Sequence, residues 1–428
     1  MDARLRNSGS ARASTPLRPV DERERTPVCA GYDPPVRDFR FTLAELSGSL
    51  ADLGVMLPLV LALISLNGMD ATAAFVCIGA AYILVALVYR LPIPVQPLKS
   101  VSAVALALGL APVVIVTGSI WNAVAFLGMG LVGLDRWVHN AFPKPVIRGI
   151  QLGLAWILLK SAWTLVSKAP ETWKGGFSFS GLAVLWLWVL IGGAIGTLLI
   201  FLLWKRDLAA LGVIAFGIAI TGLHLGLPHV SLQFTLPKIL PLIPTWQQLW
   251  QGLVLLALPQ IPLSLGNSVY ATADAARQYF QERASRVTER NLMLTMGAAD
   301  SMTALLGGIP LCHGCGGLTA HYRLGARTGG APLMLGSIFL ALGLFCGQAS
   351  MQVFGLIPFP ILGILLAYVG FQHALLARDL RGSREWASAI LVLVLTISTG
   401  NLAVGFVSGA VFYHLWNWLA PPFQPHGD

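Results

Sequence analysis

The 428-residue chain is 56% hydrophobic and only 11% charged, against about a quarter charged in an ordinary soluble domain, which excludes a soluble fold. Fourteen crossings of ~20 residues would take ~280 residues, so the length accommodates many spans but no sizeable soluble domain. A net charge of +9 would suggest nucleic acid in a soluble protein; in so apolar a chain it raises the question of where the basic residues fall between spans.

Residues 1–40 carry eight Arg and six acidic residues and no apolar run, so they read as a disordered cytoplasmic tail and not as a secretory signal. Apolar segments then follow at 41–66, 71–89, a short one at 95–110, 112–134, 146–166, 181–204 and 208–225. A polar, Pro-rich linker covers 226–245. Seven more segments lie at 246–271, 291–309, a short one at 312–325, 332–350, 354–376, 386–400 and 402–419. The expected architecture is therefore an all-α polytopic membrane protein with a first repeat over 41–225 and a second over 246–419. An odd number of segments per half sets the halves in opposite orientations, an inverted repeat. The third segment of each half is short and entered through proline. Ile93-Pro94 and Ile309-Pro310 lie 216 positions apart, as do Leu108-Gly109 and Leu324-Gly325. Paired, interrupted segments at corresponding places in two halves point to a transporter's binding site.

Charge tests the topology. With the tail cytoplasmic, the inside-facing stretches hold 23 of the 28 Lys and Arg, as the positive-inside rule requires with both termini cytoplasmic. Lys168, Lys174 and Lys238 fall outside, and Lys99 and Lys160 in or near the membrane.

Broken helices persist in hydrocarbon only where protein or a water-filled cavity covers their free backbone groups. In Leu91-Pro-Ile-Pro-Val-Gln-Pro-Leu-Lys-Ser100 three prolines forbid regular helix before Leu98, and Pro97 suits a helix start. The N–H groups of Leu98, Lys99 and Ser100 are then expected to face mid-membrane. In Gly307-Gly-Ile-Pro-Leu-Cys-His-Gly-Cys-Gly-Gly317 the helix is expected to start near His313 or Gly314. Two half-helix N-termini meeting at mid-depth form an anion site. Lys99 either snorkels to an interface or adds a full cation to that site, where Gln96, Ser100 and His313 could donate to the oxygens of a small dianion without metal.

Glu45 and Asp52, seven apart, share a helix face with Ser49 between them. Each is a candidate proton carrier, as is Asp300, midway through its span; for Asp52 the alternative is a structural partner of Lys99 or a backbone cap. The two prolines and polar Gln260, Ser264, Asn267 and Ser268 of Leu258-Pro-Gln-Ile-Pro-Leu-Ser-Leu-Gly-Asn-Ser268 predict a kinked helix that lines a cavity or packs through interhelical hydrogen bonds. Cys312-His-Gly-Cys315 lacks the second ligand pair of a zinc site, and no phosphate-binding loop occurs. No metal, cofactor, catalytic residue or nucleic-acid partner is expected.

Glu45-Leu-Ser-Gly-Ser-Leu-Ala-Asp-Leu-Gly54, Pro94-Val-Gln-Pro-Leu-Lys-Ser100, Leu258-Pro-Gln-Ile-Pro-Leu-Ser-Leu-Gly-Asn-Ser-Val269 and Ile309-Pro-Leu-Cys-His-Gly-Cys-Gly-Gly-Leu318, with Tyr322-Arg-Leu-Gly-Ala-Arg327, together resemble the molybdate transporter family, a branch of the SulP-type sulfate permeases. The resemblance implies a seven-plus-seven fold with spans 1–4 and 8–11 as a core domain and spans 5–7 and 12–14 as a gate domain. It places the oxyanion among Ser49, Gln96, Lys99, Ser100, Gln260, His313 and Gly314. It also implies secondary active import of molybdate, proton-coupled, in a plasma or inner membrane, with a homodimer through the gate domain. Cys315 departs from the family's small residue and would narrow the site. A cytoplasmic STAS domain, common in the sulfate permeases but not in the molybdate branch, is not expected. Sulfate is the rival substrate. A passive channel would need a continuous polar stripe, and a membrane redox enzyme using Cys312 and Cys315 would need a cofactor motif.

Overall fold

The computed structural model describes residues 38–133, 143–167, 182–225, 228, 230 and 232–419. Of the expected tail, 1–37 lie outside the described residues. Asp38–Arg40 are held in place: the Arg40 N–H donates to Thr328 Oγ1 at 3.0 Å, and Asp38 pairs with Arg90.

The helices are α1 (Leu43–Leu50), α2 (Leu53–Asn67) and α3 (Ala71–Tyr89), then strand β1 (Gln96–Pro97), α4 (Lys99–Leu108), α5 (Pro112–Val132), α6 (Lys144–Ser167), α7 (Leu182–Trp204) and α8 (Ala209–Leu225). The second half runs α9 (Trp246–Arg286), α10 (Glu289–Leu306), β2 (Leu311–Cys312) and α11 (Cys315–Arg323). It continues with α12 (Gly330–Gly355), α13 (Phe359–Ala374), α14 (Ser383–Thr399) and α15 (Leu402–Leu419). Among the described residues eight helices are long and apolar enough to cross a membrane, nine if the bent pair α1–α2 counts as one span. Every expected segment coincides with a helix. The main difference is α9, which continues past 271 because Ala271–Phe280 is Ala-rich and helix-prone without being apolar.

Two features position the site. The α1–α2 pair bends by 52° at Ala51-Asp52, placing a carboxylate in a helix break. The third segments of the two halves meet in a two-residue antiparallel ladder with Gln96 opposite Cys312 and Pro97 opposite Leu311. Gln96 and Cys312 are 216 positions apart, the same offset that relates the paired prolines of the two segments. The same offset relates Gly109 and Gly325, which both have positive φ, 59° and 120°, a backbone region open to glycine. Asn67 closes the far end of α4, its Nδ2 donating to the carbonyls of Ala105 at 2.8 Å and Leu110 at 2.9 Å, so the broken helix leaves these groups satisfied.

Small residues let helices approach backbone to backbone. A Cβ on Gly79 of α3 would stand 2.5 Å from the Leu340 nitrogen of α12. In α9, widened π-helical turns at Gly252–Ala257 and Leu265–Tyr270 flank Leu258–Ser264. Pro259 and Pro262 lack the N–H groups a regular helix would use there. The eighth span is thus irregular around its two prolines. The described part of the linker runs along the ends of α10 and α12, the Gln233 and Leu240 N–H groups donating to the carbonyls of Phe345 and Leu305 at 2.8 Å each.

Basic stretches expected on one face meet one another. Arg206 Nε donates to the Arg323 carbonyl at 3.2 Å, Arg283 reaches the Arg327 carbonyl at 3.3 Å, and Arg327 lies 3.9 Å from Asp207. Nearby helix ends are tied by Arg148, which is 2% exposed: its guanidinium makes a fork to Asp379 at 2.7 Å on each branch and also pairs with Asp274. Lys144 completes the cluster, 3.1 Å from Asp379.

Candidate functional site

The ladder decides how the half-helices start. Because Pro97 is held in β1, α4 begins at Lys99 and not at Pro97, and α11 begins at Cys315 with Gly314 as its cap residue. Of the N–H groups expected to face an anion, Leu98's donates to the Pro310 carbonyl at 2.9 Å and Ser100's to Gln260 Oε1 at 3.0 Å. Gln260 Oε1 also accepts from Val101 N–H at 3.3 Å, while its Nε2 donates to Ser264 Oγ at 2.9 Å. In this arrangement Gln260 caps α4 from α9. Ser100 is placed at the junction through its backbone.

His313 also departs from expectation. Its Nδ1 donates to the Pro94 carbonyl at 3.1 Å and its Nε2 lies 3.0 Å from Thr295 Oγ1, which the Tyr89 hydroxyl meets at 2.6 Å. Both ring nitrogens meet protein atoms, so in this arrangement the ring braces the start of α11 against the extended segment. His321, two turns further along α11, repeats the device with Nδ1 2.8 Å from the Pro92 carbonyl.

What remains at the junction is Lys99 and Gly314. Lys99 Nζ is buried and makes no hydrogen bond among the described residues. A Cβ on Gly314 would stand 3.5 Å from Lys99 Nζ and in collision with Gln96 Oε1. Gln96 Oε1 is itself buried without a donor. A buried ammonium and a buried amide oxygen thus abut one glycine at the start of α11, where any larger residue would fill the space.

Behind this lies Asp52, fully buried. Its Oδ1 accepts from Gln96 Nε2, and its Oδ2 accepts from the Tyr82 hydroxyl at 3.0 Å and lies 4.0 Å from His321 Nε2. A Cβ on Gly317 would come within 2.7 Å of Asp52 Oδ1, so α11 packs directly on the pair. Neither Asp52 nor Lys99 hydrogen-bonds the other, which sets aside the expected direct partnership. Ser49 Oγ is turned back to the Leu46 carbonyl at 2.8 Å.

The other two carboxylates act on backbone. Glu45 Oε2 accepts from the N–H groups of Arg327 and Thr328 at 2.9 and 3.2 Å, tying α1 to the turn after α11. Asp300 Oδ1 accepts from Leu311 N–H at 2.7 Å, anchoring β2. Cys312 and Cys315 are free, buried thiols; Cys315 Sγ donates to the Ala271 carbonyl at 3.1 Å. Tyr82, Tyr89, Thr295 and His321 were missed from sequence, yet a signal existed. Tyr82 and Tyr89 are seven apart on one face of an otherwise apolar helix, where each hydroxyl needs a buried partner.

The family model described as "Molybdate transporter of MFS superfamily" matches residues 44–158 and 252–372, more than half of the chain and every element of this junction. The chain belongs to the molybdate transporter family. It is 29% identical over 408 residues to Molybdate transporter 2 of Arabidopsis thaliana, covering 87% of each chain. It is 28% identical over 476 residues to Molybdate transporter 1 of Chlamydomonas reinhardtii, covering 87% of this chain and 91% of that one. In fold it resembles the transmembrane domain of the cyanobacterial bicarbonate transporter BicA, with a TM-score of 0.54 at 18% identity over 87% of this chain and 98% of that one. It also resembles SLC26A9, with a TM-score of 0.52 at 13% identity over 89% of this chain and 66% of that one. This molybdate transporter family member is thus an integral, multi-pass anion transporter and not an enzyme.

Proposed function

We propose that the protein imports molybdate, driven by protons, with the oxyanion held between the N-termini of α4 and α11. One observation carries this reading: Lys99 Nζ is buried without a hydrogen-bond partner among the described residues, beside the glycine that opens α11. An ammonium left so is costly unless an anion completes it. Lys99 supplies the charge; Gly314, Gln96 and Ser100 border the anion, with Ser49 in the supporting layer. Gln260 and His313 hold the two half-helices in register.

Alternating access follows if a core of α1–α5 and α9–α12 moves against a gate of α6–α8 and α13–α15 while the anion stays at the half-helix ends. The charge distribution supports cytoplasmic termini in a plasma or inner membrane, and the gate offers a surface for a homodimer. Labelled molybdate uptake into proteoliposomes tests the reading. It should saturate, be competed by tungstate better than by sulfate, and fall when the proton gradient is collapsed at fixed membrane potential. Stronger competition by sulfate would make the protein a sulfate transporter, and uptake indifferent to the proton gradient would remove the coupling.

A further inference from the structure

Gln96 joins two groups that a coupled transporter must connect. Its Nε2 donates to Asp52 Oδ1, while its Oε1, buried and without a donor, faces Gly314 and the space shared with Lys99 Nζ. An ionised carboxylate only accepts hydrogen bonds, so it fixes the amide in this sense. The consequence for the anion site is unfavourable: an acceptor oxygen points at the place where an oxyanion, itself only an acceptor, must sit.

Protonation of Asp52 reverses the requirement. With a proton on Oδ1, the carboxyl becomes a donor and is satisfied by the amide oxygen. A half-turn about the terminal torsion of Gln96 then brings Oε1 to Asp52 and Nε2 to the anion. We propose that Gln96 is the coupling residue of this transporter, its amide turning over with the protonation of Asp52 so that the oxyanion meets a donor only when the proton is bound. This rests on the anion site proposed above and adds how the driving ion reaches it.

Asp52 is fully buried, and three groups besides Gln96 surround it. From α3 the Tyr82 hydroxyl donates to Oδ2. From α11, His321 Nδ1 donates to the Pro92 carbonyl, and its Nε2 lies 4.0 Å from Oδ2. From α4 the Lys99 ammonium is the remaining charge whose field reaches Asp52. No other part of Gln96 is free to compensate, because Gly314 and Gly317 pack against its amide from α11.

Linkage makes the test reciprocal: if the proton strengthens anion binding, the anion must strengthen proton binding by the same factor, about 5- to 150-fold in typical couplings. The purified protein in lipid nanodiscs is titrated with molybdate in weak buffer across a neutral-to-alkaline pH series, following both bound anion and proton uptake. The wild type should take up protons on binding, approaching one per anion where Asp52 titrates, and its affinity should fall as pH rises. Its infrared difference spectrum should gain a protonated-carboxyl band. Asp52→Asn presents a permanent donor to Gln96 Oε1, so it should bind as the wild type does at its acid limit, with no proton uptake and no pH dependence. Gln96→Met should bind weakly at every pH, again without proton uptake.

Molybdate binding by the wild type without proton uptake or a carboxyl band overturns this inference alone, as does Asp52→Asn that keeps the wild-type proton count. Failure of the wild type to bind any oxyanion overturns the anion site as well. The wild-type readings stand whether or not either variant folds.

Discussion

Lys99→Met removes the buried ammonium while nearly preserving side-chain length, and it should change binding and stability in opposite directions. A unit charge 4 Å from one charge of the anion interacts by about 4 kcal/mol at an effective dielectric of 20. Loss of one member of a buried charge pair, net of desolvation, costs about 2–5 kcal/mol, or roughly 30-fold to several-thousand-fold in affinity at 1.4 kcal/mol per decade. Uptake of labelled molybdate by the variant should therefore disappear at concentrations that saturate the wild type. Without ligand the same ammonium has no hydrogen-bond partner among the described residues, and an unsatisfied buried group costs about 1–3 kcal/mol, more when charged. The ligand-free variant should accordingly unfold a few degrees higher than the wild type by differential scanning fluorimetry in detergent. Molybdate should raise the wild-type midpoint and leave the variant's unmoved. A lysine serving only the fold would behave otherwise: the midpoint would drop and uptake by the folded fraction would survive, and that pattern would refute the assignment.

Gly314→Ala drives a methyl group into Gln96 Oε1 and toward Lys99 Nζ; we expect about a 5- to 150-fold loss of molybdate affinity if the overpacking cost of about 1–3 kcal/mol falls on the bound state, read by equilibrium binding in nanodiscs. His313→Ala orphans the Pro94 carbonyl and the Thr295–Tyr89 pair, so thermal stability should fall by about 1–3 kcal/mol, with the affinity of the folded fraction within a few-fold of wild type. A variant of normal stability and greatly reduced affinity would instead make His313 a ligand. Arg148→Met takes from Asp274 and Asp379 their shared cation; with Asp379 41% exposed and still paired with Lys144, stability should fall by about 1–3 kcal/mol. Arg148→Lys should restore only part of it, because one ammonium cannot reproduce the fork to Asp379. Cys312→Ser with Cys315→Ser should transport molybdate normally, and loss of uptake in a folded double variant would give the thiols a role.

Long apolar runs made the spans legible, because hydrocarbon permits little besides helices. The two Pro- and Gly-interrupted segments and their 216-residue offset located the half-helices, and the lone lysine within them is the one whose ammonium lies buried at their junction. These features are local, written in the composition of a window or a spacing along the chain. The partners of each polar side chain were not legible, since they come from elements far apart in sequence. That His313 is occupied at both nitrogens depends on Pro94, Thr295 and Tyr89 arriving from three other elements. That Gln260 caps α4 depends on α9 crossing it. Sequence supplied a list of polar residues at the right depth, each able to accept or donate. Only tertiary structure decided which of them the protein satisfies internally, as most buried polar groups must be, and which lack a partner among the described residues, the Lys99 ammonium and the Gln96 amide oxygen among them, held against Gly314 by the pairing of two strands that no periodicity announces.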